Sequence, residues 1–392
     1  METRLSAVTA AILAVSSPAS STAPAAATRW ATMPAMPPAA GAERAEIRGI
    51  TAPSASDVWA VGAWWQTGQS RPLVMHWDGT AWAGRPIPAA AGDAYDLTTV
   101  DATGPDDVWA AGSVQSAGAA PGPVALLKHF DGKAWTSVSL PVTADGTSEI
   151  TDLDMTSPSE GWAVGSEYVP GVSRHSLVLR LQAGQWTRIS APPIDAAGTT
   201  LNSVYAGADD AWAVGERSGK NSDGVGVVLH YDGQSWENVP VPDGAGPGQS
   251  VTLDSVAEAS PVDVWAVGSR CTTLAVAPPS CSPVALRLAG GVWRPVTSPG
   301  FATELTEVVP RTTKDVVIVG YSGLALLPGS EHDLVQHWDG AALTPEPTIG
   351  GVTTQGELSS ALSVAALTPA TGDIWAAGWT ANSPLSHVLH RS

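Results

Sequence analysis

The stretch "DVWAVG", Asp263–Gly268, is written in near-identical form seven times in a chain of 392 residues. Asp57–Gly62 repeats it letter for letter, Asp107–Gly112 reads "DVWAAG", and looser copies end at Gly165, Gly215, Gly320 ("DVVIVG") and Gly378 ("DIWAAG"). Its aromatic position falls at Trp59, Trp109, Trp162, Trp212, Trp265, Val317 and Trp375, with spacings of 50, 53, 50, 53, 52 and 58. A period of this size means a stacked or circular array of supersecondary units.

Within each period the same four short segments recur, such as "LTTVDAT", "VWAAGSV", "VALLKHF" and "AWTSVSLP" in the second copy. All are rich in Val, Thr, Leu and Trp and bounded by Gly, Pro, Asp or Ser, which is the chemistry of strands and turns. No segment keeps a helical spacing. Four strands per unit and seven units predict an all-β fold, a seven-bladed β-propeller with four antiparallel strands per blade. The joints agree. "HWDGTAW", "HFDGKAW", "HYDGQSW" and "HWDGAAL" place Asp-Gly between the third and fourth strands, where a tight hairpin takes positive φ at both central residues. "TGPDDVW" and "ASPVDVW" put Pro and Asp in the turn before the second strand, and the recurring Asp57, Asp107, Asp210, Asp263, Asp315 and Asp373 read as turn residues. Length varies elsewhere, after the motif glycine and after the fourth strand.

A ring of blades must close or expose an edge. The last copy stops at "SHVLHRS", its third strand, and the missing fourth lies at the other end of the chain: "RWATMP", Arg29–Pro34, carries the Trp and Pro of a fourth strand, and Trp30 precedes Trp82 by one period. Residues 28 to 36 are expected to form the outer strand of the last blade.

These residues carry a resemblance. "DVWAVG" followed by "LHYDGQSW" resembles the WAVG-type repeats of secreted bacterial β-propellers and, more distantly, tectonin-type lectin propellers, over residues 28 to 392. The resemblance implies the propeller fold. It implies no particular ligand, because most such bacterial proteins are uncharacterised and tectonins' ligands vary. The paired signatures of WD and kelch repeats are absent.

Residues 1–27 read as a signal peptide: an apolar run from Leu5 to Val15 is too short to span a bilayer and is followed by small residues at Ala25 and Ala27. The mature chain, 28–392, is then a single secreted, extracellular domain, expected as a monomer with no membrane insertion. Few Lys beside Arg, with abundant Ala, Gly and Pro, give the bias of a high-GC bacterium. Cys271 and Cys281 flank a Pro-rich tip, and an even count in an exported chain predicts a disulfide. The net charge of -18 argues against nucleic acid, whose phosphates need a basic stripe.

The repeat also sorts architecture from function. Of 17 Trp, six stand in second strands and six (Trp30, Trp82, Trp135, Trp186, Trp236, Trp293) in fourth strands, as a wedge that each blade needs. His76, His129, His230, His337 and His390 share one third-strand position, filled by Arg180 and Arg287 in two blades, which marks a hydrogen-bonding spot rather than a catalytic one. Trp64, Trp65 and Trp379 have no equivalents and follow the motif glycine, at the mouth of the loop to the third strand; Tyr321, Tyr168, Arg217 and Arg270 occupy comparable places. Either they pack loops onto blade ends or they face a ligand. Glu46, Asp96, Glu149 and Glu304 stand at the start of the innermost strand, immediately before its first apolar residue, in four of the seven blades, and would ring one channel mouth. Such oxygens suit a calcium ion, though a solvated acidic rim is the simpler reading, and no cofactor is implied. Two functions follow: a binding or scaffold module taking a glycan or extracellular protein through Trp64, Trp65, Trp379, Tyr321, Glu46 and Asp96, or a polysaccharide hydrolase or lyase using carboxylates at the channel mouth. The first is preferred, because no zinc-binding, nucleophile-elbow, phosphate-loop or Asp-box motif occurs.

Overall fold

Every copy of the motif forms the second strand of a four-stranded antiparallel sheet: Asp57–Gln66, Asp107–Gln115, Glu160–Tyr168, Ala211–Ser218, Asp263–Thr272, Asp315–Ser322 and Ile374–Thr380. The computed structural model describes residues 30–392 apart from 38, 119–121, 144–145, 172–173, 193–197, 219–223, 243, 245, 247, 273–279, 301–302, 324–330, 348–351, 354–355, 358–359 and 381–385. Among the described residues there are seven such sheets, one short ladder between Val352–Thr353 and Gly356–Glu357, and no helix. The sheets form a seven-bladed β-propeller. The innermost strands are Arg44–Ser54, Ala94–Gly104, Thr147–Ser157, Thr199–Ala206, Gln249–Ser260, Glu304–Thr312 and Ser360–Leu367.

The motif glycine is explained by a β-bulge. In blade one Ile47 pairs with Gly62 and Gly49 with Val61, so Arg48 is an extra residue, and the same slip occurs in all seven blades. The bulge presses a carbonyl onto the glycine: a Cβ on Gly62 would stand 1.9 Å from the Glu46 oxygen, and the other six would meet theirs at 1.8–2.1 Å. No side chain fits there.

The tryptophan wedge packs between blades. Five of the six second-strand Trp meet the next blade's fourth-strand Trp edge to face, as in Trp59–Trp135 (5.9 Å, 85°), Trp162–Trp236 (5.1 Å, 84°) and Trp375–Trp82 (6.4 Å, 88°), while Trp265 meets the third-strand Trp338 (5.3 Å, 65°) because blade six has Leu343 in the fourth strand. Such pairs add about 0.5–1.5 kcal/mol beyond the burial of their area. The shared His position is structural, as expected: His76, His129, His230, His337 and His390 lie 2.6–3.4 Å from Asp57, Asp107, Asp210, Asp315 and Asp373. Arg287 makes a two-pronged bond to Asp263 at 2.7 and 2.6 Å. These aspartates therefore do more than turn the chain. They tie the second strand to the third.

The expectation about the Asp-Gly joints is corrected. At Asp78-Gly79, Asp131-Gly132, Asp232-Gly233 and Asp339-Gly340 the loop has four residues, and only the glycine is left-handed (φ 83–95°). The aspartate instead caps the loop, Asp78 Oδ1 accepting from the amides of Thr80 (2.8 Å) and Ala81 (2.9 Å). Positive φ at both central residues occurs in the blades without Asp-Gly, at Ala183-Gly184 and Gly290-Gly291.

The ring closes as expected. Trp30–Thr32 pairs with His387–Arg391 as the outer strand of blade seven, and the Met33 amide donates to the Val388 carbonyl at 2.9 Å. Residues 28 and 29 lie outside the described residues, as does the 1–27 segment read as a signal peptide. Cys271 and Cys281 are disulfide-bonded and stand directly opposite each other on neighbouring strands of blade five, at the base of the loop rather than its tip. No helix of the described residues is long and apolar enough to cross a membrane.

Candidate functional site

The bulges decide what lines the central channel, a cavity of about 700 Å³ walled by the innermost strands. Each bulged side chain lines it, and six of the seven reach the next blade. Thr98 Oγ1 donates to the Ile150 carbonyl (2.7 Å), Thr151 Oγ1 to Leu201 (2.7 Å), Asn202 Nδ2 to Leu253 (3.0 Å), Thr306 Oγ1 to Leu362 (3.1 Å) and Ser363 Oγ to Ile47 (3.2 Å). Arg48 and Asp254 hold the two remaining bulges. Arg48 bridges to Asp96 of blade two and to Glu46 at 3.0 Å.

The deeper wall is acidic. Asp101, Asp152, Asp154 and Glu307 line it together with Asp254 and Glu258. Burial pushes Asp101 and Asp152 up to about 6 and Glu307 up to about 8. Asp154 is raised well above the carboxylate range by burial and by the Asp101 charge. These groups are also staples between blades. Asp101 accepts from the Met155 amide (2.8 Å) and Thr51 (3.1 Å), Asp152 from the Val204 amide (2.9 Å) and Thr99 (2.9 Å), Asp154 from the Ala206 amide (2.8 Å), and Glu307 from Ser255.

At the mouth formed by the long connections, Glu46 pairs with Arg44 (3.3 Å) and Arg48, Asp96 with Arg48, and Glu149 with Arg174 (3.2 Å). Glu304 accepts the Tyr321 hydroxyl at 2.6 Å, and burial first, then this bond, raises the tyrosine. Trp65 lies under the Arg44 guanidinium, 3.9 Å from its centroid. The structure thus gathers Trp65, Glu46 and Asp96 around Arg44 and Arg48. Tyr321 stands with Glu304 in blade six. Trp64 packs onto the cluster between blades seven and one, with Trp375 and Ala377. Strand alternation turns Trp379 toward that same seam, and turns Trp65 away from it. All three tryptophans are half-buried. Among the described residues, no three His, Cys, Asp or Glu side chains are arranged to hold a metal ion.

Arg44, Arg48 and the wall carboxylates escaped the sequence reading. The signal that finds Arg48 and the wall carboxylates is the repeat itself: in "EIRGIT" and "EITDLD" charges interrupt an apolar strand at places where sister blades carry Thr or Ser.

No protein-family model matches the sequence, and no curated protein is similar to it. Solved structures are similar in fold. "YCF48 bound to D1 peptide" is 13% identical with a TM-score of 0.53, covering 94% of this chain and 99% of that one. A GH74 xyloglucanase from Xanthomonas campestris is 14% identical with a TM-score of 0.54; 92% of this chain is covered but only 53% of the enzyme, so this chain spans about half its length. Polysaccharide lyase Uly1 is 10% identical with a TM-score of 0.52, covering 88% and 89%. At these identities the likeness carries the fold alone.

Proposed function

We propose that this chain is a secreted, non-enzymatic binding or scaffold β-propeller that takes a glycan or a protein segment on its long-loop face, through Trp64, Trp65, Trp379, Tyr321, Glu46 and Asp96. The observation that carries this reading is that the rim acids already have partners within the protein. Glu46 and Asp96 are paired with Arg44 and Arg48, Glu149 with Arg174, and Glu304 holds a tyrosine hydroxyl. A general acid and base must reach substrate, and groups tied in this way serve better as a fixed polar frame around aromatic faces. Half-buried tryptophans offer flat apolar area to sugar C–H groups, and large aromatics dominate recognition sites. Among proteins of like fold, one is described with a bound peptide and two are named for action on polysaccharides. The Cys271–Cys281 bond fits an oxidising compartment.

A glycan array with a polysaccharide-depletion screen on the purified protein tests this. Trp64→Ala with Trp379→Ala should lower affinity at least about tenfold, the loss of about 1.4 kcal/mol, with the fold retained. Full affinity in the double variant would place the site elsewhere. The second reading, a hydrolase or lyase, draws on Glu307, an acid pushed up to about 8 inside the channel and so protonated at neutral pH as a general acid must be. Release of reducing ends or unsaturated products, lost in Glu307→Gln, would favour it over the binding reading.

A further inference from the structure

Of the seven bulged positions, six carry a link from their blade to the next. Five are neutral donors to a backbone carbonyl, and Arg48 makes the sixth as an ion pair. The seventh is Asp254, in blade five. By the register of its sisters, its partner is the carbonyl of Leu305, the residue before the bulge of blade six, as Ile150 is for Thr98. A carboxylate there would face an acceptor. Its Oδ2 is shut off from solvent and no donor meets it. The charges acting on it are Glu304 of blade six, then Glu216 of blade four, both negative. Its own charge in turn bears on Glu307 and Tyr321 of blade six. Glu258 is the other acid on its strand, and among the described residues lining the channel Arg48 is the one cation.

We propose that Asp254 completes the ring as a neutral carboxylic acid, its hydroxyl donating to the Leu305 carbonyl, and that ionising it unfastens the channel wall between blades five and six. Burial first, and the two acidic neighbours after it, raise this group well above the ordinary carboxylate range, so the link is made in weakly acidic solution and lost as pH rises. Glu304 and Tyr321 stand at the mouth of that same seam, so the state of Asp254 sets how firmly they are held. The inference does not rest on any ligand of the long-loop face.

Blade four supplies the test, because Asn202 occupies the equivalent position and donates through its amide. Asp254→Asn provides a donor that does not titrate. Thermal unfolding of the full chain should find the variant melting with wild type at pH 5 and about 2 °C or more above it at pH 9. Asp254→Ala should melt below wild type at pH 5 and lose that deficit by pH 9. An infrared difference spectrum between wild type and Asp254→Asn at pH 6 should show one carboxylic acid band. A difference in melting that stays constant with pH, or a carboxylate band at pH 6, overturns the proposal.

Discussion

At the scale of single residues, the motif glycine is the most constrained position in each repeat. A methyl on Gly268 would stand 2.1 Å from the Thr252 carbonyl oxygen, and both atoms belong to backbone that is fixed on either side by ladder bonds. Gly268→Ala should therefore cost at least about 3 kcal/mol, the range of substitutions that strain the backbone. Gly84 is the matched control. Nothing lies within 4 Å of a Cβ there, so Gly84→Ala should stay within about 0.5 kcal/mol of wild type in urea unfolding. Equal losses at the two sites would mean that the bulge relaxes, and that glycine is retained for another reason.

At the scale of the element, the closing strand depends on charge as well as on its tryptophan. Blade six has Val317 where its sisters have Trp, and Arg391 fills the third-strand place held by Trp77, Phe130 and Tyr231. Arg391 is 1% exposed. Its guanidinium donates to Glu346 Oε1 at 2.9 Å, while Trp30 Nε1 donates to Oε2 at 3.1 Å, so one carboxylate of blade six fastens both ends of the chain. Removing one side of a buried pair costs about 3–5 kcal/mol, and Glu346→Gln should lose close to that. Glu149→Gln, which loosens the exposed pair with Arg174, should lose less than about 1 kcal/mol. A truncation lacking residues 1–36 should melt far below the full chain, and a truncated protein that melts like the full one would show that the ring stands without its closing strand. The closure could be read from the sequence because five of the other six blades carry a fourth-strand Trp and Trp30 supplies the one that the last blade lacks. Glu346 and Arg391 could not, because they occur where the repeat departs from its own pattern. The channel wall was hidden for a different reason. Strict alternation assigns a strand's faces, but one extra residue reverses every face beyond it, so the inward direction of Asp152 and Asp154 follows only once the bulge is seen.

At the scale of the whole molecule, the channel acids and the turn aspartates pull stability in opposite directions with pH. Asp101 and Asp152 are held up to about 6 and Glu307 up to about 8, each by burial, against about 3.9 and 4.3 for Asp and Glu in an unfolded chain. The folded state therefore binds more protons than the unfolded state between these values. Stability from these groups is fully present below about pH 4 and is lost as pH rises through 6 and then 8. The exposed turn aspartates behave in reverse. Asp78 is lowered to about 2 by the Thr80 hydroxyl and then by the amides of Ala81 and Thr80, so its contribution is present above about pH 4 and lost as pH falls toward 2. The two trends meet in weakly acidic solution. Calorimetry from pH 3 to pH 9 should find the highest melting temperature near pH 5 and a decline through neutrality, the opposite of a protein whose carboxylates are salt-bridged. Glu307→Gln should flatten part of that decline above pH 7, since it removes a group held up to about 8. A melting temperature that climbs steadily to pH 8 in wild type would mean that the channel carboxylates are charged in the folded ring, and that their inter-blade hydrogen bonds outweigh their burial.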